Sequence, residues 1–235
     1  MTAAVEPVPA WLVVVVTGVF AAGVSVSSFV RLMTGSRGVL VNLNVLGTVL
    51  HEAGHAAAAC VTGGGVLQIR ITGAESGWTY SWYRTWLSDV VTVAAGYAAP
   101  PLAGLGAASL LSRGRAGTLL TITVVAMALI LIVTRDVVTL AAVAGIGAAG
   151  FAAAYWGPPW LQTWLGYVVA WLLLTSEIAG LATITVSRLR GTNGALADDA
   201  EQLATKTHVP APVWIVAWFA LICWAIWKGL GLLWP

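Results

Sequence analysis

Val45-Leu46-Gly47-Thr48-Val49-Leu50-His51-Glu52-Ala53-Gly54-His55-Ala56-Ala57-Ala58-Ala59-Cys60-Val61 reads as an apolar helix that carries three ionisable side chains within five residues. The whole chain has only three histidines and nine acidic residues in 235, so this concentration is unusual for it. On a helix, positions i and i+4 share a face, and both imidazoles can reach one metal ion. Glu52, one residue beyond the first histidine, then stands where a general base toward a metal's water is needed. Burying two imidazoles and a carboxylate at membrane depth without a metal or partners is expensive. The pattern implies a Zn2+ site for hydrolysis set inside a bilayer.

Composition supports the bilayer. Hydrophobic residues make up 59% of the chain, charged residues 9%, and mean hydropathy is +0.90. A soluble domain of this length needs far more charge to cover its surface, so an integral membrane protein in contact with lipid is expected. A net charge of +2 spread along the chain excludes a nucleic-acid-binding role. Cys60 and Cys223 lack the spacing of a disulfide framework or a zinc ribbon and read as two buried thiols. Residues 1–10 contain no basic side chain and make a poor signal-peptide start, so the apolar run after them reads as a retained helix. Many of the thirteen tryptophans stand at the ends of apolar runs, as in an interfacial aromatic belt.

A spanning helix needs about 20 apolar residues. That criterion predicts spans near 11–31, 39–61, 90–112, 117–134, 137–155, 160–187 and 211–233. The count is about seven, and six spans or a re-entrant segment are also compatible with it. The longer connection, 62–89, opens on Gly63-Gly64-Gly65. Val66-Leu67-Gln68-Ile69-Arg70-Ile71 has strand composition, and Trp78 to Tyr83 alternates aromatic and small polar residues. The expected fold is an all-α polytopic membrane protein, one domain over 1–235 with its core at 39–155, and a small β-hairpin-like loop after the motif helix. With seven crossings, Arg70, Arg84, Arg135, Arg188, Arg190 and Lys206 fall on the side of loop 62–89. Arg31, Arg37, Arg113, Arg115 and Lys228 fall opposite. The bias puts loop 62–89, and the site near it, toward the cytoplasm.

A catalytic zinc site takes three protein ligands and keeps a fourth position open. Asp136, at the return of the fourth span to the side of loop 62–89, is the favoured third ligand. Glu177 in the sixth span, and Asp198 and Asp199 at the start of a short capped segment, are alternatives.

With His51-Glu52-Ala53-Gly54-His55 in a membrane helix, a Gly-rich exit and a β-prone loop, the chain resembles the site-2 protease family of intramembrane zinc metalloproteases. It looks closest to their compact, membrane-integral bacterial branch, and Asp199 to Pro210 followed by Trp214 looks like that branch's stretch before the last helix. The resemblance implies that His51 and His55 ligate Zn2+ and that Glu52 activates water. It also implies that Val66 to Ile71, or more loosely residues 66–83, offer a strand to a membrane protein substrate. Regulated intramembrane proteolysis in a bacterial cytoplasmic membrane follows as the expected role. The Leu-Asp-Gly motif of better-known members is absent, and Arg135-Asp136 occupies its place in the helix order. A catalytically idle pseudoprotease that binds membrane partners, and a metal or proton transporter using His51, His55, Asp136 and Glu177, are the rival readings.

Overall fold

The computed structural model describes residues 11–35, 40–73, 76–191 and 198–234. Within them the chain forms α1 (Trp11–Thr34), a 3-10 turn (Leu40–Asn44), α2 (Val45–Val61), β1 (Gly65–Gly73) and β2 (Ser76–Trp82). There follow α3 (Trp86–Leu111), α4 (Ala116–Val133), α5 (Val137–Trp156), α6 (Pro159–Leu189), α7 (Asp199–Thr207) and α8 (Ala211–Leu233). Six of the eight described helices (α1, α3, α4, α5, α6 and α8) are long and apolar enough to cross a membrane. Arg37 and the first ten residues lie outside the described residues.

The motif helix α2 is the exception. Its 17 residues extend roughly 25 Å, short of the about 30 Å hydrocarbon core. Packing of α1 explains how so short a helix fits. A Cβ on Gly18 would meet Trp171, Ser25 donates to the Thr175 carbonyl at 3.3 Å, and Arg190 reaches Met33 Sδ at 3.8 Å. The contacts climb both helices together, so α1 runs parallel to α6. The chain therefore comes back to the C-terminal end of α6 before α2 starts. Gly47 sits against Ser176, deep along α6, and α2 runs from there to the hairpin. The C-terminal ends of α1 and α2 thus lie toward the same end of the bundle, which we read as the re-entrant course that the hydropathy pattern allowed.

Small residues set the interior spacing. Gly54 of α2 abuts Ala95 and Ala99 of α3, Gly104 of α3 abuts the Leu173–Leu174 backbone of α6, and Gly229 of α8 abuts the Leu174 side chain. Backbones approach closely there because no Cβ intervenes. Helix α6 is the axis, with most of its apolar stretch buried, while α5 is largely exposed along its length. Helix α3 starts at Trp86, within the expected loop, because Thr85 is extended and its side chain accepts the Ser88 amide at 3.1 Å. Cys60 and Cys223 are free, but both are exposed on the outside of the bundle, which corrects the expectation of burial. An outward face in lipid is as apolar as an inward one, so hydropathy does not separate them.

The hairpin forms a two-stranded antiparallel sheet, with Ile69 opposite Thr79 and Arg70 opposite Trp78. Its β1 side docks on the α4–α5 junction. Ile69 bridges Thr134, and the Ile71 amide donates to Thr139 Oγ1 at 2.7 Å. Ile69 and Ile71 are buried in that contact. Strand β2 lies on the other side, toward α2.

Candidate metal centre

His51 and His55 lie one helical turn apart on α2 and point the same way. Their Nε2 atoms are 3.2 Å apart, and Asp199 Oδ2 is 3.2 Å from the first and 3.4 Å from the second. Among the described residues, these three form the one group of His, Cys, Asp or Glu side chains close enough to share an ion. Both rings are held by their far nitrogens. His55 Nδ1 donates to the Thr92 carbonyl at 2.7 Å, and His51 Nδ1 lies 3.1 Å from Glu177 Oε2. With those N–H groups committed, neutral rings present two Nε2 lone pairs to a carboxylate. Three acceptors converging at such distances require a cation or shared protons between them. Two imidazoles and a carboxylate, oriented by outer hydrogen bonds, form the donor set of a catalytic zinc site with one position open. The residues present fit the ion.

Asp199 arrives by a division of labour. Asp198 is the N-cap of α7, its Oδ1 accepting the Glu201 amide at 2.9 Å, and Arg188 of α6 pairs with it at 2.6 Å. Arg188 also holds Glu201 at 2.9 Å, and Lys206 holds Asp89 of α3 at 2.6 Å. The short helix is thus pinned on both flanks, and Asp199, freed from capping, turns toward the histidines. Burial would raise its pKa, but the neighbouring His55 and His51 hold the carboxyl well below the usual range. That pull is exerted by protonated imidazoles, and a cation shared with neutral rings would exert the same one.

Asp136 is not in this group. It caps α5, accepting the Thr139 amide at 3.0 Å and the Thr139 hydroxyl at 2.7 Å. Desolvation raises its carboxyl, but those bonds together with the charge of Arg70 hold it below the ordinary value. Helix order had made it the favoured ligand, but its oxygens are spent on its own helix. Glu177 faces the outer nitrogen of His51, on the orienting side of the ring.

Glu52 is buried beside the histidines, and Thr79 of β2 donates to its Oε2 at 2.7 Å. Helix α3 closes the opposite wall. A Cβ on Gly96 would stand 2.5 Å from His55 Nε2 and 2.7 Å from His51 Nε2, so only glycine leaves the imidazoles their place. Tyr97 packs edge-on against His51, with ring centroids 4.7 Å apart. A cavity of about 740 Å³ opens over the group, lined among others by Gly77, Trp78, Thr79, Tyr80 and Tyr83. Val66, Leu67, Gln68, Ile69, Arg70 and Ile71 do not line it. They form β1, one strand further out, because its free edge is taken by α4 and α5. The strand at the site is β2, and its period-two alternation in Trp78 to Tyr83 was the available signal. No sequence pattern marked Glu177, Thr92 or Gly96 as neighbours of the histidines.

No curated protein and no solved structure matches the chain. The Peptidase M50B-like family model matches residues 26–229, a span that takes in the motif helix, the hairpin, Glu177 and Asp199. The chain therefore belongs to the Peptidase M50B-like, or site-2 protease, family of membrane metallopeptidases.

Proposed function

We propose that the protein is an intramembrane zinc endopeptidase that cleaves membrane-spanning or membrane-associated proteins, as in regulated intramembrane proteolysis. His51, His55 and Asp199 are assigned as the zinc ligands, with Asp199 in place of the Asp136 expected from helix order, and Glu52 as the general base. The observation that carries this reading is the convergence of two ring nitrogens and one carboxylate oxygen beside a buried glutamate. A bound zinc ion would polarise the scissile carbonyl and make a water acidic enough to lose its proton near neutrality. Glu52 accepts that proton and returns it to the departing amine. Glu177 and the Thr92 carbonyl keep the imidazoles oriented, and Tyr97, Gly96 and α3 keep bulk water from that side.

A transmembrane helix hides its peptide bonds in internal hydrogen bonds and must unwind to be cut. An unwound segment has the shape to pair with β2 as a third strand. Trp78, Tyr80 and Tyr83 then offer it aromatic walls. Orientation toward the cytoplasm gains support from the parallel course of α1, which moves Arg31 to the hairpin end with Arg70, Arg84, Arg135, Arg188, Arg190 and Lys206. Only Arg113, Arg115 and Lys228, among the described residues, remain at the other end.

The deciding experiment compares wild type with Glu52→Gln at equal zinc content on single-span substrates. We expect Glu52→Gln to keep its metal and to lose at least ~10²-fold in cleavage, since an amide cannot take the proton. Equal cleavage by the two proteins refutes the mechanism.

A further inference from the structure

We propose that Thr79 is a positioning residue for Glu52, through which the substrate-facing strand sets the geometry of the base. This rests on the reading of Glu52 as general base. The Thr79 hydroxyl has one proton and two acceptors in range, Glu52 Oε2 at 2.7 Å and the Glu52 carbonyl at 3.0 Å. The carboxylate is the closer and the stronger acceptor. Donation to Oε2 occupies that oxygen and leaves Oε1 for proton transfer. Gly77 completes the seat, since a Cβ there would lie 2.9 Å from Glu52 Oε1 and Cγ. One strand therefore binds one carboxylate oxygen through Thr79 and leaves room for the other at Gly77, two positions that share a face of β2.

The strand is itself fixed from behind. Thr79 is opposite Ile69, Ile69 bridges Thr134, and the Ile71 amide is tied to Thr139. The Thr139 hydroxyl donates to Asp136 Oδ2 and so must accept, not donate, at Ile71. A continuous path of hydrogen bonds and strand pairing leads from the α5 cap to the base. Along it, a segment bound to the outer edge of β2 meets a base whose angle is already set.

The test uses Thr79→Val, which keeps the shape and removes the donor, and Thr79→Ser, which restores the donor. Three quantities are measured: kcat and KM on a single-span substrate, zinc affinity by competition with a fluorescent chelator, and calorimetric affinity for a Leu-Leu hydroxamate. A hydroxamate hands its acidic proton to the base on binding, so it reads the geometry of Glu52 without turnover. We expect Thr79→Val to lose about 10-fold in kcat and in hydroxamate affinity, the scale of one hydrogen bond to a charged group. KM and zinc affinity should stay within about twofold, and Thr79→Ser should recover both losses. Unchanged kcat and hydroxamate affinity in Thr79→Val overturns the proposal, and so does equal loss in both variants together with zinc, which is a scaffold role. If Thr79→Val does not fold, Thr79→Ala is judged by the same criteria. Absence of cleavage by wild type defeats the protease reading, and hydroxamate affinity alone then decides the role of Thr79.

Discussion

Among the described helices, α5 and α7 are capped by an aspartate, and only the second of these starts reaches the histidines. At the α4–α5 junction Asp136 stands alone at the N-cap, and both its oxygens turn back onto Thr139. At the start of α7 there are two acids in a row. Asp198 takes the capping duty and the Arg188 pair, and Asp199 projects from the first helical position into the site. A lone aspartate at a helix start is consumed by the helix, whereas a doubled one leaves a carboxylate over. The second start also sits near the positive end of a helix dipole, which favours an ionised ligand there.

The comparison breaks most visibly on metal affinity. Asp199→Ala should lower zinc affinity by more than the roughly 10–100-fold that an outer hydrogen-bond partner commands, while Asp136→Ala should leave it unchanged. Chelator competition on both purified variants gives the answer, and loss in Asp136→Ala with retention in Asp199→Ala reverses the two roles. A smaller effect sharpens the picture. Glu177→Ala should cost within that 10–100-fold range, because it frees the His51 ring to rotate without removing a donor from the ion; a loss as large as that of Asp199→Ala would make Glu177 a ligand. The smallest effect is on stability without metal. Asp136→Ala should destabilise the chelated protein by about 1 kcal/mol, the worth of an N-cap, and Asp199→Ala should not. Thermal unfolding in detergent with excess chelator measures both, and an equal loss would remove the distinction between cap and ligand.

Hydropathy sufficed to locate the helices because a bilayer demands long apolar runs, and the observed ends of α1, α4, α5 and α8 lie within three residues of the expected ones. The hairpin was legible from its glycines and its alternation. The pair His51 and His55 with Glu52 was legible because its geometry is local to one helix. What was not legible depends on the course of the chain in space. Asp199 is 148 residues from His51, and in one dimension its place beside Asp198 looks like an ordinary cap. The direction of α1 was hidden by the turn before α2, and with it the re-entrant course of the motif helix. The exposure of Cys60 and Cys223 was hidden for a different reason, since lipid rewards the same residues that a protein interior does.

The wide separation of the ligands has a mechanical side. Asp199 belongs to a short polar helix that lies outside the membrane-crossing set, whereas His51 and His55 belong to the re-entrant helix at the other end of the sequence. An ion shared among them closes a ring of roughly the whole intervening chain, and closure of a long ring restricts the unfolded ensemble more than closure of a short one. The ion would therefore serve as a clasp as well as a catalyst, fastening the segment after α6 to the segment before β1. Its release would first loosen α7, held otherwise by the ion pairs of Arg188 and Lys206 and by Ala200 and Leu203 packed against α3 and α8, and leave the apolar bundle standing.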